Sequence, residues 1–114
     1  MALTDTAETR GLICRDSCNW IRGVIFYGAI KDYPKAKAFC QLVLDRQKDE
    51  KTGTLYLKGL KLMAAICLTD EGYNSSLRYC IEGAALAHEA DDAILEADFN
   101  FQAGSCMERM NGVG

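Results

Sequence analysis

Apolar residues recur along this chain at intervals of three, four and seven, the spacing of helices with one buried face. From about Thr4 to Ala29 the set Ile13, Trp20, Val24 and Tyr27 follows that spacing, with Cys14, Cys18, Ile21 and Ile25 beside it. Thr4 and Asp5 are capping candidates for this first helix, with Glu8 three residues after Asp5. A turn is expected at Lys31-Asp32-Tyr33-Pro34, with Asp32 as N-cap and Pro34 in the first helical turn, where its missing N–H costs little. The second helix then runs to about Lys48. A third starts near Thr52, carries Leu55, Leu57, Leu60, Met63, Ala64, Ile66 and Cys67, and stops at Asp70-Glu71-Gly72, with glycine suited to a left-handed end. Asn74 or Ser75 is expected to cap a fourth helix that reaches about Ala90; Asp91 or Asp92 caps a fifth, from Ala93 to about Met110, closed by Asn111-Gly112. Alternating strand patterns are missing and β-branched residues are sparse outside Val24-Ile25, so the expected fold is all-α.

The length of 114 residues sets the expectation at one domain, and 49% apolar with 25% charged residues is an ordinary globular balance. A net charge of -3 argues against nucleic-acid binding by phosphate neutralisation and against a polybasic membrane-surface module. No apolar run approaches the roughly 20 residues of a membrane span, and the N-terminus lacks the plan of a signal peptide. The expected location is cytoplasmic.

Six cysteines (Cys14, Cys18, Cys40, Cys67, Cys80 and Cys106) contain no Cys-x-x-Cys pair, and their spacings of 4, 22, 27, 13 and 26 match no zinc pattern. They read as small buried hydrophobes, and no metal or cofactor is expected. Cys14 and Cys18 share one helical face, which keeps open an alternative role as a small-molecule or metal sensor using the Cys14, Cys18 and Trp20 region. His88, the one histidine, adjoins Glu89, but Cys80 lies about two turns away, beyond direct proton transfer along one helix. No nucleophile triad order, phosphate loop or His-Glu-x-x-His motif occurs, and the acids Asp91, Asp92, Glu96 and Asp98 suit a helix N-terminus. No catalytic residue is expected.

Shifting the chain by 40 residues superposes Asp32-Tyr33, Gly72-Tyr73 and Gly112-Val113, places Cys40 on Cys80 and Phe39 on Tyr79, and aligns Val24, Ala64 and Gly104. Periods of about 20 to 50 residues mark stacked helical arrays. Each unit resembles a tetratricopeptide repeat: Trp20, Val24, Tyr27, Tyr33 and Ala36 in the first, Leu60, Ala64, Cys67, Tyr73, Ser76 and Gly83 in the second, Asn100, Gly104 and Met107 in the third. The stretch from Gly83 to Asp92, followed by Glu96-Ala97, is similar to the long-repeat variety found in regulatory parts of bacterial signalling and transcription proteins. The units span about 4–50, 51–90 and a partial 91–114, against about 34 residues in the common form of the repeat.

The resemblance implies about five antiparallel helices stacked as an α-solenoid of about two and a half repeats, whose first helices line a concave face. It implies a non-enzymatic interaction or regulatory module, a scaffold or input segment of a larger signalling protein, that binds a protein or peptide partner. The projected groove positions are Cys18 and Ile21, Lys58 and Lys61, and Asp98 and Phe101. The two lysines suggest a weak preference for acidic peptides, although Ala65 stands where a carboxylate-gripping relative carries asparagine.

The fifth helix is apolar on two sides: Leu95, Phe99, Ala103, Cys106 and Met110 form one face, and Ile94, Ala97 and Phe101 a narrower one nearly opposite. Repeat arrays end in a polar cap, so an uncovered face here implies further chain, a partner, or a homodimer. The first set, centred on Phe99 and Met110, is the expected self-association face.

Overall fold

The computed structural model describes residues 15–70 and 72–111. Residues 15–25 are helical and continue into a π-helical turn, Phe26–Ile30; together they are α1. Four further helices follow: α2 (Tyr33–Arg46), α3 (Thr54–Thr69), α4 (Tyr73–Glu89) and α5 (Ala93–Asn111). The fold is all-α, with no strand among the described residues. The capping expected at Thr4, Asp5 and Glu8, together with Ile13, Cys14, Glu71, Gly112 and Val113, lies outside them.

Each turn has a local physical cause. The backbone N–H of Lys31 reaches the Phe26 carbonyl five residues back, which widens the end of α1, and Lys31 takes a left-handed φ of 62°. Asp32 Oδ1 accepts from the Lys35 N–H at 3.2 Å, with Pro34 in the first turn of α2, as the sequence leads one to expect. At the start of α4 the expectation fails. Gly72 has φ -88° and is itself the N-cap of α4, without a side-chain cap from Asn74 or Ser75. The left-handed residue of the last turn is Asp91 (φ 57°), and Asp92 Oδ1 caps α5 by accepting from the Leu95 N–H at 3.0 Å.

Packing is densest between helices consecutive in the chain. Between α1 and α2, buried Asp16 accepts from Arg46 Nε at 2.5 Å and Gln47 Nε2 at 2.6 Å, and Phe26 stacks on Phe39. Between α2 and α3, the Cys40 thiol donates to the Gly59 carbonyl at 2.9 Å. Between α3 and α4, the Ser76 hydroxyl donates to the Ala64 carbonyl at 2.7 Å. Between α4 and α5, Phe99 lies on Gly83, and the Cys106 thiol donates to Ser76 Oγ at 3.2 Å. Gly83 and Phe99 are each eight residues from Asp91, and Ser76 and Cys106 each fifteen, so the hairpin is in register about its turn.

The 40-residue period reappears in burial. Ala36 and Cys40 of α2 are fully buried, as are Ser76 and Cys80 of α4. The close approaches differ from those expected at Val24, Ala64 and Gly104. Ala64 is fully buried, but Val24 is exposed and a Cβ on Gly104 would meet nothing within 4 Å. In α1 and α4 the tight positions are Gly23, against Leu62, and Gly83, against Phe99. Only a residue without a Cβ lets the neighbouring side chain sit this deep.

Candidate functional site: a cleft along α1, α3 and α5

Three polar links tie the odd-numbered helices together. Trp20 Nε1 donates to the Lys58 carbonyl at 3.3 Å, the Tyr27 and Thr69 hydroxyls share a hydrogen bond of 2.9 Å, and Lys61 Nζ pairs with Asp98 Oδ2 at 3.1 Å. Between these links lies a cleft of about 620 Å³. Trp20 forms its α1 wall; Leu57, Lys58, Lys61, Leu62 and Ala65 form its floor on α3. The far wall is Leu95 of α5 with Ala90 and Asp92 from the preceding turn, and Thr52 and Thr54 close the end beside the start of α3. An apolar floor with a few polar groups at its edges is the usual make-up of a binding site of this size.

The electrostatics of the cleft are modest. Lys58 Nζ lies 5.2 Å from the centroid of the Trp20 ring, a cation–π contact that holds both side chains at the rim. Lys61 is neutralised by Asp98, and Asp92 Oδ1 is engaged by the α5 cap. Of the two lysines in the lining, Lys58 is the one that pairs with no acid among the described residues.

Of the projected groove positions, the structure brings Lys58 and Lys61 into the cleft lining and sets Asp98 against Lys61. Cys18 and Ile21 are exposed on α1 outside the lining, and Phe101 is exposed on α5. The face expected to self-associate is occupied inside the chain. Phe99 and Cys106 are fully buried, Ala103 is buried and Leu95 half-buried, and only Met110 is exposed. The physical reason is Gly83, which opens a recess in α4 that accepts the Phe99 ring.

Sequence reasoning placed Trp20 in a sensor region with Cys14 and Cys18 and not opposite α3 and α5 as a cleft wall, and it missed Asp16. A lone carboxylate near an exposed arginine reads as surface, whereas Asp16 is 1% exposed and fixes α1 to the end of α2. The acids grouped in the sequence separate in space: Asp92 caps α5, Asp98 faces Lys61, and Glu96 Oε1 lies 3.3 Å from His88 Nδ1.

The described cysteines other than Cys18 are buried. Burial pushes the Cys40 thiol up to about 12, and burial together with neighbouring Cys106 pushes Cys80 up to about 11. Both stay protonated at neutral pH, which makes them poor nucleophiles and poor metal ligands. Among the described residues, no group of three or more His, Cys, Asp or Glu side chains gathers as a metal site, and no helix is long and apolar enough to cross a membrane. Cys14 of the sensor alternative lies outside the described residues, and Cys18 is exposed.

No family model, curated protein or solved structure matches the chain.

Proposed function

We propose that this protein is a non-enzymatic interaction module of the tetratricopeptide kind, acting in the cytoplasm as a regulatory or scaffold segment, and that the α1–α3–α5 cleft holds a segment of a partner protein. The observation that carries this reading is the cleft itself: an apolar floor on α3 between two helical walls, with one lysine at its edge that rests on Trp20 and pairs with no acid among the described residues. The stacked-array reading is supported by the order of contacts. Each helix packs on the next, while α1 meets α3 and α3 meets α5, as successive helix pairs must to bury both apolar faces. The favoured occupant is a short, mainly apolar segment with an acidic residue placed for Lys58.

The volume also falls in the range of about 300–1,000 Å³ typical of small-molecule sites, which favours a second reading as a sensor with Trp20 as its reporter. Selection from a random peptide library separates the two. The interaction module enriches peptides that bind the wild-type chain and shift its Trp20 emission, and Ala65→Arg, which projects a bulky charged side chain from the cleft floor, abolishes both effects. Failure to enrich any peptide, or equal binding by Ala65→Arg, would count against the cleft as a peptide site.

A further inference from the structure

The apolar side of α5 that α4 does not cover has a regular form. Ile94, Ala97, Phe101 and Gly104 follow one another at steps of three, four and three residues, the a and d spacing of a coiled-coil seam. At about 100° per residue this stripe lies opposite the one that carries Phe99 into the core. Ile94 is 79% and Phe101 80% exposed, the two most exposed large apolar side chains in the described fold. Space is open above Gly104, where a Cβ would touch nothing within 4 Å.

We propose that this stripe docks a second copy of the chain, α5 against α5, antiparallel about a twofold axis level with residue 99. The register argues for this occupant, because the stripe is complementary to itself in that orientation. Ile94 falls opposite Gly104 of the second copy and Ala97 opposite its Phe101, so each large side chain meets a small one, twice over by symmetry. A parallel pairing would set Phe101 on Phe101 and Gly104 on Gly104, leaving a clash in one layer and a void in the next.

Charge at the seam is already compensated. Asp98, which flanks Ile94 and Phe101, is paired to Lys61 at 3.1 Å within its own chain. Glu108, the next residue along the stripe, is exposed and falls beyond the paired span, where it stays in water. Counted about residue 99, the two α5 helices overlap over residues 93–105, about 20 Å of helix, so the seam belongs with the small interfaces below about 1,200 Å² that form weak complexes. The dimer therefore dissociates on dilution through the micromolar range.

Sedimentation equilibrium of the reduced protein over a dilution series is the test, with circular dichroism on each variant to show that it is folded. The wild type shows a monomer–dimer equilibrium, and Phe101→Asp is a folded monomer at every concentration. Ala97→Phe is also monomeric, because it sets two large residues in one layer; the exchanged pair Ala97→Phe with Phe101→Ala restores the dimer. A wild-type chain that stays monomeric at micromolar concentrations, a dimer that survives Phe101→Asp, or an exchanged pair that fails to associate would each overturn the proposal.

Discussion

Gly83 of α4 lies so close beneath the Phe99 ring of α5 that a methyl group at position 83 would overlap the ring atoms. Phe99 is wholly buried, so it has no free direction in which to yield. Gly83→Ala is therefore destabilising by about 1–3 kcal/mol, against a gain of up to about 1 kcal/mol that alanine would bring to an unconstrained helix. Adding Phe99→Leu to Gly83→Ala recovers part of the loss, because the smaller side chain vacates the overlap. Urea unfolding midpoints of the two variants measure this, and a Gly83→Ala protein as stable as wild type would contradict the packing.

Asp16 predicts a loss of another kind. Its carboxylate is buried and accepts from both Arg46 and Gln47, so Asp16→Ala removes two charge-assisted bonds at once. Breaking a fully buried pair costs about 3–5 kcal/mol, but Arg46 keeps 34% of its side chain exposed and can be rehydrated, so about 1–3 kcal/mol is expected. Hydrogen exchange should locate the loss in α1, whose other polar links to the fold are made by Trp20 and Tyr27, more than in α4 and α5.

Alkaline pH tests the buried thiols and the buried phenol. Cys40 rises from an ordinary 9.0 to about 12, Cys80 from 9.0 to about 11, and Tyr56 from 10.0 to about 12, in each case chiefly by burial. The folded chain thus holds these protons more tightly than the unfolded chain. Their contribution is intact below pH 9 and falls as pH rises from about 9 to 12, where only the unfolded chain has released them. Denaturation midpoints should be flat between pH 7 and 8.5 on this account and then decline, less steeply in Cys40→Ala with Cys80→Ala. An equal decline in that double variant would assign the effect elsewhere.

The cleft makes a separate electrostatic prediction. Since Lys61 is engaged by Asp98, Lys58→Glu should weaken an acidic peptide far more than Lys61→Glu does. Affinities at two salt concentrations check this, with the Lys58 contribution the one that fades at high salt. Equal effects of the two substitutions would mean that the Lys61–Asp98 pair opens on binding.

Residue type made some of this fold readable in advance and concealed the rest. Asp32, Pro34 and Asp92 act through neighbours three or fewer residues away, so their roles follow from local sequence. The correspondence of Cys40 with Cys80 was equally visible, because a buried site accepts few residue types and repeats them. Which side of α5 faces α4 was not visible, since both sides carry an apolar stripe. Counting outward from the turn at Asp91 would have decided it, for only the Phe99 side meets a glycine. Asp16 was hidden for a different reason: its partners Arg46 and Gln47 lie thirty residues on and bear no local relation to it.

The most direct test of the central claim uses a photo-crosslinking amino acid placed at Thr54, exposed at the end of the cleft, and in a second protein at Ile81, exposed on α4. Both proteins are expressed in the native cells and irradiated. A discrete adduct with one other protein from position 54, absent from position 81 and lost when Lys58→Glu is added, is the predicted result. No adduct at 54, or the same adducts from both positions, would contradict a partner seated in the α1–α3–α5 cleft.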